Sequence, residues 1–241
     1  MNNIIITRPK EDSLGLLEIL EREGFDVISE PQLEINFFEI NPDFLKQSFQ
    51  AILITSANGI RALARITNIR DYKVVTVGVA SKKEADNLGF TNVVSANGEK
   101  GGDVDILFDY ICTNCSKNGG KLLHLAGVSI SKNLKDMLCN AGYEALRINL
   151  YEAKKIEQIN DDTAAKITAE EIDAVVFYSA RSAESFIAAI KNNGLNQSVK
   201  SMKSICFSHR VADSLPTDLF EKILVTKEMD SNSLVSLLKS I

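Results

Sequence analysis

The chain has no tryptophan, four prolines and thirteen glycines in 241 residues, too little Pro and Gly for a collagen-like or low-complexity scaffold. No apolar run approaches the roughly 20 residues that a membrane-spanning helix needs. The start, Met1-Asn2-Asn3-Ile4, lacks the basic stretch, apolar core and small-residue cleavage site of a secretory leader. A cytoplasmic protein without membrane contact is the expectation. A basic surplus is missing too: 27 Lys and Arg stand against 32 Asp and Glu, for a net charge of −5. Nucleic acid is therefore not an expected partner, and an anionic ligand has to be held by local donors rather than by a protein-wide field.

Common catalytic signatures are absent as well. The chain has no G-x-G-x-x-G, no Walker loop, no G-x-S-x-G elbow and no H-E-x-x-H. Cysteine is sparse: Cys112 and Cys115 form a C-x-x-C, while Cys139 and Cys206 lie too far apart to complete a zinc site. The pair follows the periodic run Ile106, Leu107, Tyr110, Ile111. It is thus placed at a helix C-terminus, opposite to the end whose dipole activates a thiolate, and a structural role is expected. The only histidines, His124 and His209, sit near strand ends without an acidic cluster. They read as structural, with their hydrogen bonds satisfied, and no metal site is expected.

What is present is a globular core. Apolar residues make up 45% and charged residues 24%, and the length suits two domains of roughly 100–150 residues each. Short Ile- and Val-rich runs at 3–6, 51–54, 74–77, 121–125, 174–178 and 204–207 show little polar alternation. Strands buried on both faces of a parallel sheet read this way. Each run precedes an amphipathic stretch; Leu14, Leu17 and Leu20, with Leu16 and Ile19, give the first helix its apolar face. Gly24, Gly89 and Gly142 stand where a left-handed helix cap is wanted, and short second strands follow near 27–28, 93–94 and 145–148. The fold class is α/β with parallel sheets.

The chain also repeats itself. Residues 51–63 line up with 174–186, 74–89 with 204–220, and 4–28 with 122–148. A period on the order of 120 residues is too long for a solenoid and describes two similar domains. Two extended stretches, 33–38 and 148–154, interrupt the pattern and are candidate crossings between them. No Gly/Ser- or Pro-rich linker is present, so the connection is expected to be more structured than a coil.

In parallel α/β sheets, ligands bind beyond the carboxyl ends of the strands. The loops there are Thr7-Arg8-Pro9, Thr55-Ser56-Ala57-Asn58, Gly78-Val79-Ala80-Ser81, Ala126-Gly127-Val128-Ser129, Ser179-Ala180-Arg181-Ser182 and Ser208-His209-Arg210. Small, hydroxylated and backbone-accessible, each is expected to open a helix, whose first N–H groups can seat a carboxylate or phosphate. The same hydroxyls also serve as ordinary helix caps.

These residues resemble a known family. The T-S-A loop at Thr55-Ser56-Ala57, the V-G-x-x-S loop at Val77–Ser81, the L-x-x-x-G of Leu123–Gly127, and Ala141-Gly-Tyr-Glu144 with Ile148-Asn-Leu-Tyr-Glu-Ala153 are similar, in order and spacing, to uroporphyrinogen-III synthase. The resemblance spans the whole chain. It implies two flavodoxin-like α/β domains joined by a two-stranded antiparallel ladder: residues 1–32 and 156–241 form one domain, 40–149 the other, and 33–38 with 150–154 the ladder. It further implies closure of linear hydroxymethylbilane to a macrocycle with loss of water and inversion of the last pyrrole ring. The enzymes of this family use neither metal nor cofactor, and the expected state is a monomer.

The family tyrosine that assists hydroxyl loss matches Tyr151. The family's T-S loop residues match Thr55 and Ser56, with Ser179 in the second copy, and Ser81 keeps a hydroxyl where threonine is usual. Thr7, Arg8, Ala57, Gly78, Gly127, Ala180, Arg181 and Ser208 are expected to hold substrate from their place in or beside the loops after the strands. The chain departs from the family pattern at Ala126, where arginine is common, and at Ser208 and Val211, where glycine and threonine are usual. Backbone donors survive all three changes. Two other readings stand beside the enzyme: a small-anion-binding protein that closes by a hinge, and a relative that binds a tetrapyrrole without turning it over.

Overall fold

A computed structural model describes residues 3–241. Met1 and Asn2, at the start of the N-terminal reading, and the side chain of Leu14 lie outside the described residues. The elements run β1 (Asn3–Ile6), α1 (Lys10–Arg22), β2 (Asp26–Ser29), β3 (Leu33–Phe37), β4 (Ala51–Ile54), α2 (Ala57–Ile66), β5 (Val74–Thr76), α3 (Val79–Asn87), β6 (Val93–Ser95) and α4 (Val104–Asn114). They continue with β7 (Leu122–Gly127), α5 (Leu134–Asn140), β8 (Ala145–Lys155), α6 (Asp161–Thr168), β9 (Ala174–Phe177), α7 (Ala180–Asn192), β10 (Lys203–Cys206), α8 (His209–Ala212), β11 (Lys222–Val225) and α9 (Ser231–Leu238).

By contacts the chain divides into two compact units, Met1–Glu34 with Lys154–Ile241, and Ile35–Ala153. The first holds a five-stranded sheet in the order β11-β10-β9-β1-β2. Its pairings are parallel, with Ile4 opposite Ala174 and Ile5 opposite Ile28. Numbered within the unit, this is the 2-1-3-4-5 order of a doubly wound sheet. The second unit has the order β3-β8-β7-β4-β5-β6. Here β4 stands to β7 as β9 stands to β1, with Ala51 opposite Leu122. The internal repeat is therefore a repeat of sheet positions.

The lack of polar alternation in the strands has a direct physical cause. In β4, Ile52 and Ile54 enter the core that α2 caps with Ile60 and Leu63, while Ala51 and Leu53 enter the one formed by Leu107, Ile111, Leu122 and Leu138. Helices cover both faces, so every position is buried. In the first unit Phe177 meets Phe186 and Phe220 edge-on, at 5.5 and 6.1 Å between ring centroids. The opposite face packs Ile4, Ile6, Leu20, Ile205 and Leu234. Gly24 and Gly89 end α1 and α3 at φ 89° and 82°, in the left-handed region where a side chain would be strained.

Three details depart from the sequence reading. Residues 145–148 and the stretch at 148–154 are one strand, β8, because no Gly or Pro interrupts the run from Ala145 to Lys155. A bulge interrupts its pairing with β7: Ala126 faces Asn149 but Gly127 faces Tyr151. Secondly, the loop after β7 does not open a helix. α5 begins only at Leu134 with Asn133 as its cap, since the Val128 N–H still donates to the Tyr151 carbonyl and prolongs the extended chain. Finally, several strand ends differ by one or two residues, as with β5, which stops at Thr76.

Candidate functional site

Each sheet presents its carboxyl edge as a row of short loops, built within its own unit. In the first unit Thr7 is fully buried and its hydroxyl donates to the Val176 carbonyl at 2.7 Å, tying β1 to β9 beyond the ladder. Ser179 caps α7 by accepting from the Ser182 N–H at 3.1 Å. Ser208 caps α8 more loosely, accepting from Val211 at 3.4 Å. Ala180 and Arg181 are the first two residues of α7.

Arg8 follows β1 and lies over the Tyr178 ring, 4.8 Å from its centroid. Tyr178 in turn stacks on Phe207 at 4.0 Å. A guanidinium on an aromatic face is attracted by the ring quadrupole, so Arg8 is held over the strand ends with its side chain one-third exposed. Asp12, one turn into α1, stands 3.9 Å from the Arg8 Nε. Burial raises the pKa of Tyr178, and the charge of Arg8 opposes that rise. Sequence reasoning missed Tyr178 and Phe207, though a signal existed: Tyr178 occupies the place in the second repeat that Thr55 holds in the first.

In the second unit Ser56 caps α2, accepting from the Asn58 N–H at 3.2 Å, and Ala57 opens that helix. Gly78 precedes α3 in extended conformation. A Cβ there would come within 2.8 Å of the Gly102 nitrogen, so only glycine lets the loop at 100–102 approach. That loop supplies the Lys100 carbonyl that accepts from the Val79 N–H at 3.0 Å. Ser81 sits inside α3 and is buried.

Tyr151 is 9% exposed, and its ring lies against Gly127, where a Cβ would meet Cε2 at 2.8 Å and Cζ at 2.9 Å. Phe37 stands 6.2 Å from the Tyr151 ring, and the Arg65 guanidinium lies 4.2 Å over Phe37. The row Arg65, Phe37, Tyr151 and Gly127 thus joins one expected catalytic residue and one expected binding residue to two neighbours that the sequence did not flag.

His124 differs from its expected place. It lies inside β7 rather than near its end, opposite Leu53 on one side and Arg147 on the other. Its Nε2 is 3.3 Å from the Thr55 hydroxyl, but Nδ1 is buried without a partner. The expectation of a fully satisfied histidine therefore fails on one nitrogen: neither Leu53 nor Arg147, its neighbours in register, makes a hydrogen bond to Nδ1. Burial foremost, and the charge of Arg147 after it, lower the His124 pKa from 6.5 to about 4.

A stability prediction follows with a defined sign. The unfolded histidine takes up a proton near pH 6.5 that the folded one refuses until about 4. The stability from His124 is thus fully present above pH 6.5 and declines as pH falls toward 4, by about 3 kcal/mol in all. Urea melts of His124→Gln between pH 7 and 4 are expected to show a flatter acid limb than the parent chain. Limbs of equal slope would remove His124 from the acid response.

The buried polar side-chain atoms that lack a partner among the described residues are on Gln32, Ser95, His124, Arg147, Tyr178 and Thr226. Four of these residues end a strand or follow one: Gln32 after β2, Ser95 in β6, Tyr178 after β9 and Thr226 after β11. Unsatisfied buried groups are costly and infrequent, and these four gather at or just beyond strand ends. Cys112 lies in the last turn of α4 and Cys115 caps it, with all four cysteines free. Among the described residues no group of three or more His, Cys, Asp or Glu could hold a metal ion, and no helix is long and apolar enough to cross a membrane.

Two doubly wound parallel α/β units, each with hydroxyl-capped helices at its carboxyl edge, place the chain in the class of two-unit α/β proteins. Comparison with known proteins narrows that class. The sequence profile of the family described as Uroporphyrinogen-III synthase HemD matches residues 15–236, and the chain belongs to that family. A curated relative, the porphyrin biosynthesis protein HemD of Ruminiclostridium josui, is 23% identical over 229 residues, covering 88% of this chain and 43% of that protein. The chain therefore spans less than half the length of that relative. Among solved structures, a uroporphyrinogen-III synthetase from Helicobacter pylori superposes with a TM-score of 0.65 at 14% identity, over 100% of this chain and 99% of the other. A mutant uroporphyrinogen III synthase from Thermus thermophilus gives 0.57 at 14% identity, over 100% and 98%. Likeness at that identity establishes the shared fold.

Proposed function

We propose that this chain closes linear hydroxymethylbilane to uroporphyrinogen III, with loss of water and inversion of the last pyrrole ring. The family match over residues 15–236 carries this reading. Loss of the substrate hydroxyl as water consumes one proton and leaves an azafulvene cation. The substituted α-carbon of the last ring then attacks that cation in preference to the free α-carbon and forms a spiro intermediate. Its original bond to the bridging methylene breaks, that methylene bonds to the free α-carbon, and loss of the α-proton returns the proton consumed. Chemistry of this kind depends on a group that assists the leaving hydroxyl and on restraint of the chain ends.

Tyr151 is the residue assigned to the hydroxyl, supported by a ring clamped against Gly127 and beside Phe37. Arg8, Thr55, Ser56, Ala57, Gly78, Gly127, Ser179, Ala180, Arg181 and Ser208 hold the substrate carboxylates, through side chains or exposed N–H groups. Thr7 and Ser81, both buried, act in the same loops by fixing the backbone. The chain works as a cytoplasmic monomer without metal or cofactor.

We also infer that β3 and β8 cross between the units as an antiparallel ladder, joining one domain of residues 1–32 and 156–241 to another of residues 40–149. Two hydrogen bonds support it: the Phe38 N–H donates to the Leu150 carbonyl at 2.8 Å, and the Ile156 N–H to the Gln32 carbonyl at 3.1 Å. Residue numbers fall along one strand as they rise along the other, the signature of antiparallel pairing.

The test of the reaction is direct. Supplied with hydroxymethylbilane, the purified chain is expected to yield uroporphyrinogen III ahead of the spontaneous isomer I, read by HPLC of the oxidised products. Isomer I alone from a folded preparation would overturn the reading.

A further inference from the structure

The pair formed by His124 and Thr55 has a polarity that its surroundings decide. A neutral imidazole carries one N–H and one bare nitrogen. The Thr55 hydroxyl, 3.3 Å from Nε2, has His124 as its only hydrogen-bond partner among the described residues. If the proton were on Nδ1, a buried N–H would face no acceptor, because Nδ1 has no partner. Orphaned buried N–H groups are rarer than bare acceptors. Arg147 sets the same preference from the other flank: it faces His124 in register from β8, and its positive charge repels an N–H but attracts a lone pair. The guanidinium is fixed there, donating to the Gly127 and Val128 carbonyls at 2.8 and 3.0 Å.

We propose that His124 is a positioning residue that makes Thr55 a hydrogen-bond donor toward the substrate: the His124 Nε2–H donates to Thr55 Oγ1 and leaves the threonine proton for a ligand oxygen. This rests on Thr55 being one of the substrate-holding residues. The consequence for the ligand is specific. A carboxylate only accepts hydrogen bonds. With the opposite tautomer the threonine proton would be spent on Nε2, and lone pairs alone would meet the carboxylate. A histidine held neutral in β7 thus selects an acceptor at the carboxyl end of β4, and it does so without touching the substrate.

With two histidines in the chain, the test is clean. Protein labelled with 15N-histidine should show, in long-range 15N–1H correlation spectra at pH 7, one set of signals with the proton on Nε2 and a bare Nδ1. His209→Gln removes the other set and completes the assignment. Thr55→Val should move the Nε2–H signal. A proton on Nδ1 overturns the proposal.

A kinetic arm separates positioning from packing. His124→Leu is expected to raise KM for hydroxymethylbilane about tenfold, as for a lost hydrogen bond to a charged group, with kcat within twofold. His124→Gln, whose side-chain amide can still donate, should recover most of that loss. In a Thr55→Val background, His124→Leu should cost less than a further twofold; a full additional loss there overturns the proposal. A parent chain that forms no uroporphyrinogen III would overturn the reaction proposed above and not the tautomer, which the spectrum reads without substrate.

Discussion

Tyr151→Phe is expected to slow formation of uroporphyrinogen III by roughly 10- to 1000-fold, the range open to a lost acid or positioning hydrogen bond. The substitution keeps the ring and removes only its hydroxyl oxygen. The ring is 9% exposed and packed by Phe37 and Gly127, and phenylalanine keeps every one of those ring contacts. Thermal melts should therefore change little while initial rates fall. Gly127→Ala is the companion variant. It retains the hydroxyl, but its Cβ would stand 2.8 Å from the Tyr151 ring, so the ring has to shift. Loss of activity on a similar scale is expected, now with about 1–3 kcal/mol of destabilisation from overpacking. A Tyr151→Phe enzyme with the parent's rate would remove the hydroxyl from the mechanism. Gly127→Ala with the parent's rate would show that the ring's position is immaterial.

The contrast between these residues shows what the sequence could reveal. Strand runs such as Ile4–Ile6 and Ala51–Ile54 declared a parallel sheet because burial on both faces erases alternation. Ser56 and Ser179 announced helix starts because a capping hydroxyl has to precede the first turn. The repeat paired Thr55 with Tyr178, and the two do occupy equivalent sheet positions. Pairing across distance was not legible. Nothing local to Ile4 says that its neighbour is Ala174, and the union of the two chain ends entered only through the family resemblance. The register shift that sets Gly127 against Tyr151 is equally silent in composition. His124 was read from its type and misjudged, because the cost of its unpartnered Nδ1 depends on the strands around it.

The exchanged connectivity carries the second large expectation, in which pieces of the chain either fold or fail. Residues 35–153 contain the last three residues of β3 through most of β8 and both cores of their sheet. Expressed alone, that piece is expected to show α/β circular dichroism and a cooperative urea melt. Residues 154–241 should not, because β1 fills an interior slot between β9 and β2. Its Ile4, Ile5 and Ile6 are fully buried. Removing three such side chains forfeits roughly 5–9 kcal/mol of burial, against a total domain stability of about 5–15 kcal/mol. Residues 1–34 alone hold one helix and short strands, too little to cover either sheet face. Joining residues 1–34 to 154–241 through a short Gly/Ser linker should restore a cooperative melt. The Ile156 N–H already lies 3.1 Å from the Gln32 carbonyl, so the two ends meet without strain. A cooperative fold from 154–241 by itself would show that β1 is dispensable to that sheet. An unfolded 35–153 would show that the second unit depends on the chain at its two crossings, and the division at Glu34 and Ala153 would then mark contacts without marking a folding boundary.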